Sequence, residues 1–139
     1  MGYITIRGHT IFGGQAEGEA LVSEQGISLY GSVDYETGIV TERRHVLRGR
    51  SLRGKVLVFP FGKGSTGWAR ALFCLKQSGN APKALISREL CEFVVIGAVT
   101  SEIPAISCFD LDPVKHIKDG DYLRVDADKG IVRIICRKQ

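Results

Sequence analysis

A chain of 139 residues, 44% hydrophobic and 24% charged, is long enough to bury one core and has the balance of an ordinary globular protein, which excludes a disordered chain and a membrane-embedded one. Its net charge of +4 is modest, and its basic residues are scattered apart from Arg43, Arg44, Arg48, Arg50, Arg53 and Lys55. That run suits a solvated loop face, an acidic partner or an anionic substrate; no recognition motif or interleaved aromatic series accompanies it, so nucleic acid is set aside as a partner.

The amino-terminal run Met1-Gly2-Tyr3-Ile4-Thr5-Ile6-Arg7 interrupts any secretory signal with polar residues, and apolar stretches such as 93–99 fall far short of the roughly 20 residues that cross a bilayer. The expectation is a cytoplasmic protein without membrane contact. Through the first fifty residues, Ile4 and Ile6, then Ala20-Leu21-Val22, then Ile27-Ser28-Leu29-Tyr30 predict antiparallel strands broken by Gly13-Gly14, Gly18 and Gly26. Residues 31–38, with Asp34 and Gly38, read as an ordered turn leading to the short run Ile39-Val40.

Beyond Gly54 the texture changes. Short continuous apolar runs at 56–59, 84–86, 94–99 and 105–108 predict strands buried on both faces, as in a parallel sheet. Between the first two, Trp68, Ala71, Leu72 and Leu75 recur at i, i+3, i+4 and i+7 with Arg70, Lys76 and Gln77 on the other side, which predicts a helix that Gly79-Asn80 ends. Residues 88–92 read as a further short helix. The tail, 119–135, has the alternation of a β-hairpin with Asp128-Lys129-Gly130 in its turn. The sum is one α/β domain over 1–139, a parallel-sheet layer with helices plus an antiparallel β layer. Cys74, Cys91, Cys108 and Cys136 are far apart in apolar segments and form no Cys-x-x-Cys pair, so they are expected as reduced core thiols and not as metal or iron–sulfur ligands.

Chemistry concentrates at Gly62-Lys63-Gly64-Ser65-Thr66-Gly67, between the strand at 56–59 and the helix starting near Trp68. A strand, a glycine-rich turn and a helix start make an anion site, because unpaired backbone N–H groups and the positive end of the helix dipole point at whatever fills the turn. Gly62 and Gly64 permit close backbone approach, Lys63 adds a cation, and Ser65 and Thr66 add hydroxyls. Two roles stay open for those hydroxyls, helix cap or chemistry. The turn is no P-loop. It meets the bare spacing Gly-x-Gly-x-x-Gly, but the next strand offers only Glu89 as a ribose ligand, out of the usual context.

Several blocks in order carry a resemblance: Glu17-Gly18-Glu19-Ala20-Leu21-Val22-Ser23, residues 27–34, Glu36-Thr37-Gly38, His45, Gly54-Lys55-Val56-Leu57-Val58-Phe59-Pro60, Gly64-Ser65, Ala81-Pro82-Lys83-Ala84 and the tail from Gly120-Asp121 to Val132. Over nearly the whole chain the sequence resembles the small subunits of the aconitase-X group. The resemblance implies the swivelling β/β/α domain of the aconitase superfamily, here as a separate polypeptide and a cytoplasmic subunit. It implies a hydro-lyase that acts only with a large subunit, which carries a 4Fe-4S cluster as Lewis acid and most of the substrate pocket. The implied reaction is loss of water from (R)-5-phosphomevalonate to trans-anhydromevalonate 5-phosphate, a step in an archaeal mevalonate pathway; the alternative is a hydroxyproline-type dehydration. Ser65 matches the family's serine, the base that removes a proton from the carbon next to the substrate carboxylate, with Gly62, Lys63, Gly64 and Thr66 as substrate contacts. The arginine that often follows the serine in such loops is absent; Arg70 is the nearest, and Lys63 stands as the more suitable cation.

His45 and Asp34 belong to the resembling blocks, and each is expected in a structural role, as hydrogen-bonder and turn residue. Phosphohistidine swivelling domains share the general architecture, but none of His9, His45 and His116 lies in a glycine- and threonine-rich loop. A non-enzymatic, anion-binding swivelling module in which Ser65 only caps the helix is the remaining alternative.

Overall fold

The structure, a computed structural model, describes residues 4–136, without the Cys136 side chain. The start of the amino-terminal run, Met1-Gly2-Tyr3, and any packing of the Cys136 thiol lie outside the described residues. In chain order the elements are β1 (Ile4–Arg7), β2 (His9–Phe12), β3 (Gln15–Val22), β4 (Val56–Phe59), α1 (Gly67–Gln77), β5 (Ala84–Ser87), α2 (Glu92–Ser101), β6 (Ala105–Ser107), α3 (Pro113–His116), β7 (Tyr122–Asp126) and β8 (Ile131–Cys136). The strands run in the order β1-β8-β7-β3-β4-β5-β6-β2. β3 joins two layers: Gln15 to Glu19 pair antiparallel with β7, and Ala20 to Val22 pair parallel with β4.

The two ends of that order, β1 and β2, are separated in sequence by Gly8 alone, so the sheet folds back on itself. Gly8 makes the corner fit. Its N–H donates to the Gly130 carbonyl at 2.8 Å, and a Cβ there would stand 2.6 Å from the Ser107 carbonyl oxygen. The parallel strands β4 and β5 are buried at every position, as expected for strands covered on both faces. Val56, Val58, Ala84 and Ile86 face a core shared with Leu123, Val125, Val132 and Ile134 of the hairpin. Leu57, Phe59 and Leu85 face the opposite core, with Trp68, Leu72 and Leu75 of α1 and Val94 and Ala98 of α2. The layers are therefore β/β/α.

Several expectations are corrected, the first being that Ala20-Leu21-Val22, expected among antiparallel strands, pairs parallel with β4 because β3 continues past β7 into the parallel layer. Residues 94–99 form the middle of helix α2, not a strand. Two of its mid-helix exposed positions, Ile96 and Val99, are as apolar as its buried ones, so no helical periodicity marks 94–99, and Cys91 at its start makes no side-chain cap. The short helix expected at 88–92 is instead the turn into α2, which begins only at Glu92. Ile27-Ser28-Leu29-Tyr30 is no antiparallel strand; it contributes one isolated parallel bridge, Ile27 to Gly62, within an irregular excursion from Ser23 to Lys55. Ile39 and Val40 likewise make only isolated bridges.

The excursion runs along α1 from start to end. Tyr30 covers Gly67, the Tyr35 carbonyl accepts from Ser78 Oγ (2.7 Å) and Asn80 Nδ2 (2.8 Å), and Gly38 abuts Asn80. Asp34 is the expected turn residue, accepting the Glu36 N–H at 2.9 Å. His45 is buried between the Gly26 carbonyl (Nε2, 3.1 Å) and the Leu47 N–H (Nδ1, 3.0 Å), the structural role expected of it. The cysteines depart from the core-thiol reading: Cys74 and Cys91 are half-buried and Cys108 is exposed.

Candidate active site

β3, β4, β5 and β6 run parallel and end at one edge, where ligands of open α/β sheets bind. The turn from β4 into α1 occupies that edge. Its hydrogen bonds explain why it is held although it lacks regular structure. One carbonyl, that of Ile27, accepts both the Lys63 N–H (2.8 Å) and Trp68 Nε1–H (3.0 Å), pinning the turn before and after the serine. Trp68 is buried between the rings of Phe59 and Phe93, at centroid distances of 6.0 and 6.1 Å.

Within this frame the five predicted residues separate by depth. Gly62 is buried beneath the turn, where a Cβ would stand 2.9 Å from Phe93 Cε2 and 3.0 Å from Val94 Cγ2. Lys63, Gly64, Ser65 and Thr66 are exposed. Gly64 has φ of +118° with open space where a side chain would be, a conformation that suits glycine. Thr66 is the residue before the first helical turn, yet neither it nor Ser65 donates or accepts a side-chain hydrogen bond among the described residues. The cap role left open by the sequence is not the one adopted. Nor do the N–H groups of Gly64, Ser65, Thr66 and Gly67 have a hydrogen-bonded acceptor among the described residues. Four free donors and two unpaired hydroxyls thus stand at the start of an 11-residue helix.

Charges flank the turn. Lys63 Nζ lies 3.5 Å from Glu42 Oε1, so the cation beside Ser65 is tethered to the excursion. Arg88, just past β5, is held by Glu89 (2.9 Å) and Asp112 (3.6 Å), and the hydrogen bond to Glu89 raises its pKa further above the ordinary arginine value. Arg88 and Asp112 help line a hollow of about 700 Å³ at this edge, with Val22, Glu24, Val46 and Lys115. Arg70 stands on the side of α1 that faces Tyr35, whose pKa is raised by burial and then by Cys74 and Tyr30, with Arg70 acting against them. Tyr30, Glu42 and Arg88 had no assigned role in the sequence reading. Tyr30 and Glu42 reach the turn from a segment distant in sequence, the Arg88 side chain is held by Glu89 and Asp112 instead, and no local spacing marks any of the three.

A family model described as the aconitase X swivel domain matches residues 5–134. The chain belongs to the aconitase X swivel domain family. A Methanosarcina acetivorans protein named phosphomevalonate dehydratase small subunit is 46% identical over 135 residues, covering 97% of this chain and 94% of its own. A Thermococcus kodakarensis protein of the same name is also 46% identical over 130 residues, 94% of this chain and 96% of its own. The crystal structure of Thermococcus kodakaraensis aconitase X in its holo-form superposes with a TM-score of 0.90 at 45% identity, over 95% of this chain and 98% of that one.

Among the described residues no three His, Cys, Asp or Glu side chains gather to hold a metal ion. Cys74 lies on α1, Cys91 ahead of α2 and Cys108 past β6. Cysteines on three separate elements do not make the clustered thiolate set that holds an iron–sulfur cluster.

Proposed function

We propose that this chain is the small subunit of a phosphomevalonate dehydratase, and that it supplies Ser65 as the base of an active site completed by a large subunit. The substrate is (R)-5-phosphomevalonate and the product trans-anhydromevalonate 5-phosphate. Ser65, as the alkoxide, takes a proton from the carbon next to the carboxylate; the electron pair of that C–H bond becomes the double bond, the hydroxyl on the adjacent carbon leaves with its bonding electrons as hydroxide, and transfer of the abstracted proton from the Ser65 hydroxyl to it releases water and restores the alkoxide. The 4Fe-4S cluster expected for the family belongs to the large subunit in this reading, with most of the substrate pocket.

The observation that carries the reading is the unspent hydroxyl of Ser65, exposed among four unpaired N–H groups at the start of α1. A serine is far too weak a base in water; fixed N–H dipoles, a neighbouring lysine and removal of solvent are what favour its ionised form. The turn supplies the dipoles and Lys63. Removal of solvent requires a second surface, because Ser65 stands in the open. The free N–H groups of Gly64 and Thr66 and the Lys63 ammonium suit a carboxylate or phosphate of the substrate. Gly62 sets the depth of the turn.

Anaerobic co-expression with the cognate large subunit and assay on phosphomevalonate test this. Ser65→Ala should lower turnover by about 10²- to 10⁴-fold, the usual contribution of a positioned base. Its melting temperature should stay at the wild-type value, since no cap bond is lost. Full turnover by the Ser65→Ala complex would sink the base assignment. Failure of the wild-type chains to associate would sink the subunit reading.

A further inference from the structure

No bond of its own side chain fixes Ser65 in place: its hydroxyl is unpaired among the described residues, and residues 62–66 belong to no helix or strand. The turn takes its position from one residue outside it. The Ile27 carbonyl accepts the Lys63 N–H (2.8 Å) and Trp68 Nε1–H (3.0 Å), and the Ile27 N–H donates to the Phe61 carbonyl (3.1 Å). These contacts lie on both sides of Ser65. Burial of the Ile27 side chain in the core sets its depth, but apolar contact is non-directional and does not aim a peptide group. The Ile27 N–H shares a peptide plane with the Gly26 carbonyl, so whatever holds that carbonyl aims the N–H. Glycine leaves the plane free to rotate unless it is held, and a Cβ at Gly26 would run into the Phe61 ring. The holder is His45, 19 residues on and only 6% exposed, whose Nε2 lies 3.1 Å from the Gly26 oxygen.

The other bonds of His45 fix the ring itself. Nδ1 accepts the Leu47 N–H (3.0 Å), and the backbone N–H of His45 donates to the Glu42 carbonyl (3.3 Å). The Glu42 carboxylate in turn lies 3.5 Å from Lys63 Nζ. A carbonyl only accepts and an N–H only donates, so the ring carries its proton on Nε2. Two routes therefore join His45 to the serine turn, one through the 26–27 peptide group and one through Glu42 to the Lys63 ammonium.

We propose that His45 is a positioning residue for the dehydration: by holding the Gly26 carbonyl it aims the Ile27 peptide group, and through it sets where Ser65 stands relative to the substrate. The inference rests on Ser65 as the base and adds the buried group that aims it. A role in stability alone needs less. The bond to Leu47, two residues on, shapes the excursion locally in the manner of an Asx turn. The bond to Gly26 crosses from the middle of the excursion to the peptide group that carries the serine turn. Its loss frees that group to rotate, and a reacting atom displaced by about 1 Å costs on the order of 10²-fold in rate.

Three substitutions separate aiming from stability. In His45→Asn the side-chain oxygen can still accept the Leu47 N–H, but the amide is too short to reach Gly26. In His45→Gln the amide nitrogen stands as far along the side chain as Nε2 and can still donate to Gly26. His45→Phe keeps a ring and loses both bonds. Trp68 is the only tryptophan of the chain, so its indole N–H gives a single signal in the nuclear magnetic resonance spectrum of the free protein and reports the bond to Ile27. In His45→Asn and His45→Phe that signal should shift and exchange with solvent at least about tenfold faster, while the amides of the β7–β8 hairpin keep their protection. In His45→Gln it should stay. Turnover per folded complex with the cognate large subunit should fall about 30- to 100-fold in His45→Asn and His45→Phe, with KM changed less than about fivefold, and stay within about fivefold of wild type in His45→Gln. Wild-type turnover by a folded His45→Asn or His45→Phe complex overturns the proposal. So does a loss of turnover with the indole signal unmoved, or a His45→Gln variant as impaired as His45→Phe. Should neither His45→Asn nor His45→Phe fold, His45→Gln carries the test, and a folded His45→Gln that loses both signal and turnover overturns the proposal. Full turnover by Ser65→Ala overturns the base assignment instead, while the indole signals of the His45 variants still decide whether His45 holds the turn.

Discussion

The two edges of the parallel sheet are built from the same strands and are finished in opposite ways. Where β3, β4 and β5 begin, polar groups satisfy one another: Glu17 accepts from Tyr122 (3.1 Å) and Arg124 (3.2 Å), Lys55 reaches Glu19 (3.4 Å), and Lys83 Nζ reaches the Glu17 carbonyl (3.4 Å). Where the strands end, the turn at 64–67 leaves four N–H groups and two hydroxyls unpaired among the described residues, with the exposed rings of Tyr30 and Phe61 beside it. An edge that closes on itself is scaffold. One that leaves donors and rings open beside a serine is prepared for something else to complete it, and this contrast is what links the fold to the proposed function.

The comparison can be broken most strongly from the core between the edges. Leu72→Ala removes a fully buried side chain between α1 and the sheet and should cost about 2–5 kcal/mol of stability. Turnover per assembled complex should stay near wild type below the lowered melting temperature. A loss of turnover out of proportion to unfolding would mean that the core tunes the serine directly and that scaffold and site are not separable.

A smaller effect should divide the serine turn itself. Gly62→Ala presses a methyl group against Phe93, Val94 and the Trp68 ring and should cost about 1–3 kcal/mol. Gly64→Ala meets open space, so only its φ of +118° opposes it, at about 1–2 kcal/mol. Chemical denaturation of the two free variants compares the costs, and turnover in the complex should show the reverse order: Gly64→Ala, next to Ser65, should harm turnover more than its stability loss explains. Equal behaviour of the two would erase the distinction between the buried root and the open tip of the turn.

How much of this was legible in the sequence follows from where each signal resides. Helix α1 announces itself because Trp68, Leu72 and Leu75 point to the core while Arg70, Lys76 and Gln77 do not. β4 and β5 are legible as uninterrupted apolar runs, and the β7–β8 hairpin as alternation around a turn. Helix α2 is not legible, because its exposed Ile96 and Val99 erase the periodicity that would separate it from a buried strand. Ser65 could be placed from its turn and its resemblance, but its free hydroxyl could not: whether Thr66 or Ser65 caps a helix is decided by side-chain rotation, which the sequence does not record. Tyr30, Glu42 and Arg88 were silent for a different reason. Tyr30 and Glu42 reach the turn only through the path of the excursion, and Arg88 meets Asp112 only through the end of β5; such long-range placement leaves no local pattern.

The subtlest test concerns the closed edge, through its tyrosine. The Tyr122 hydroxyl donates to Glu17 Oε1, and this hydrogen bond, then burial and the Glu17 charge, raise its pKa above the ordinary 10.0, with Arg124 pulling slightly the other way. A donor held by a carboxylate is harder to ionise, because losing the proton sets two negative charges side by side. The sign for stability follows: the folded-state pKa is above the unfolded one, so the contribution is fully present below about pH 10 and is lost as pH rises through the folded value. Tyr35 is also raised, but chiefly by burial beside α1, with Cys74 and Tyr30 next. Phenolate absorbance followed against pH should therefore show two late-ionising tyrosines among the residues described. Glu17→Gln should bring only Tyr122 back toward 10. If that substitution leaves both tyrosines late, the Glu17 pairing does not hold in solution, and the contrast between a self-satisfied edge and an open one loses the contact that best defines its closed side.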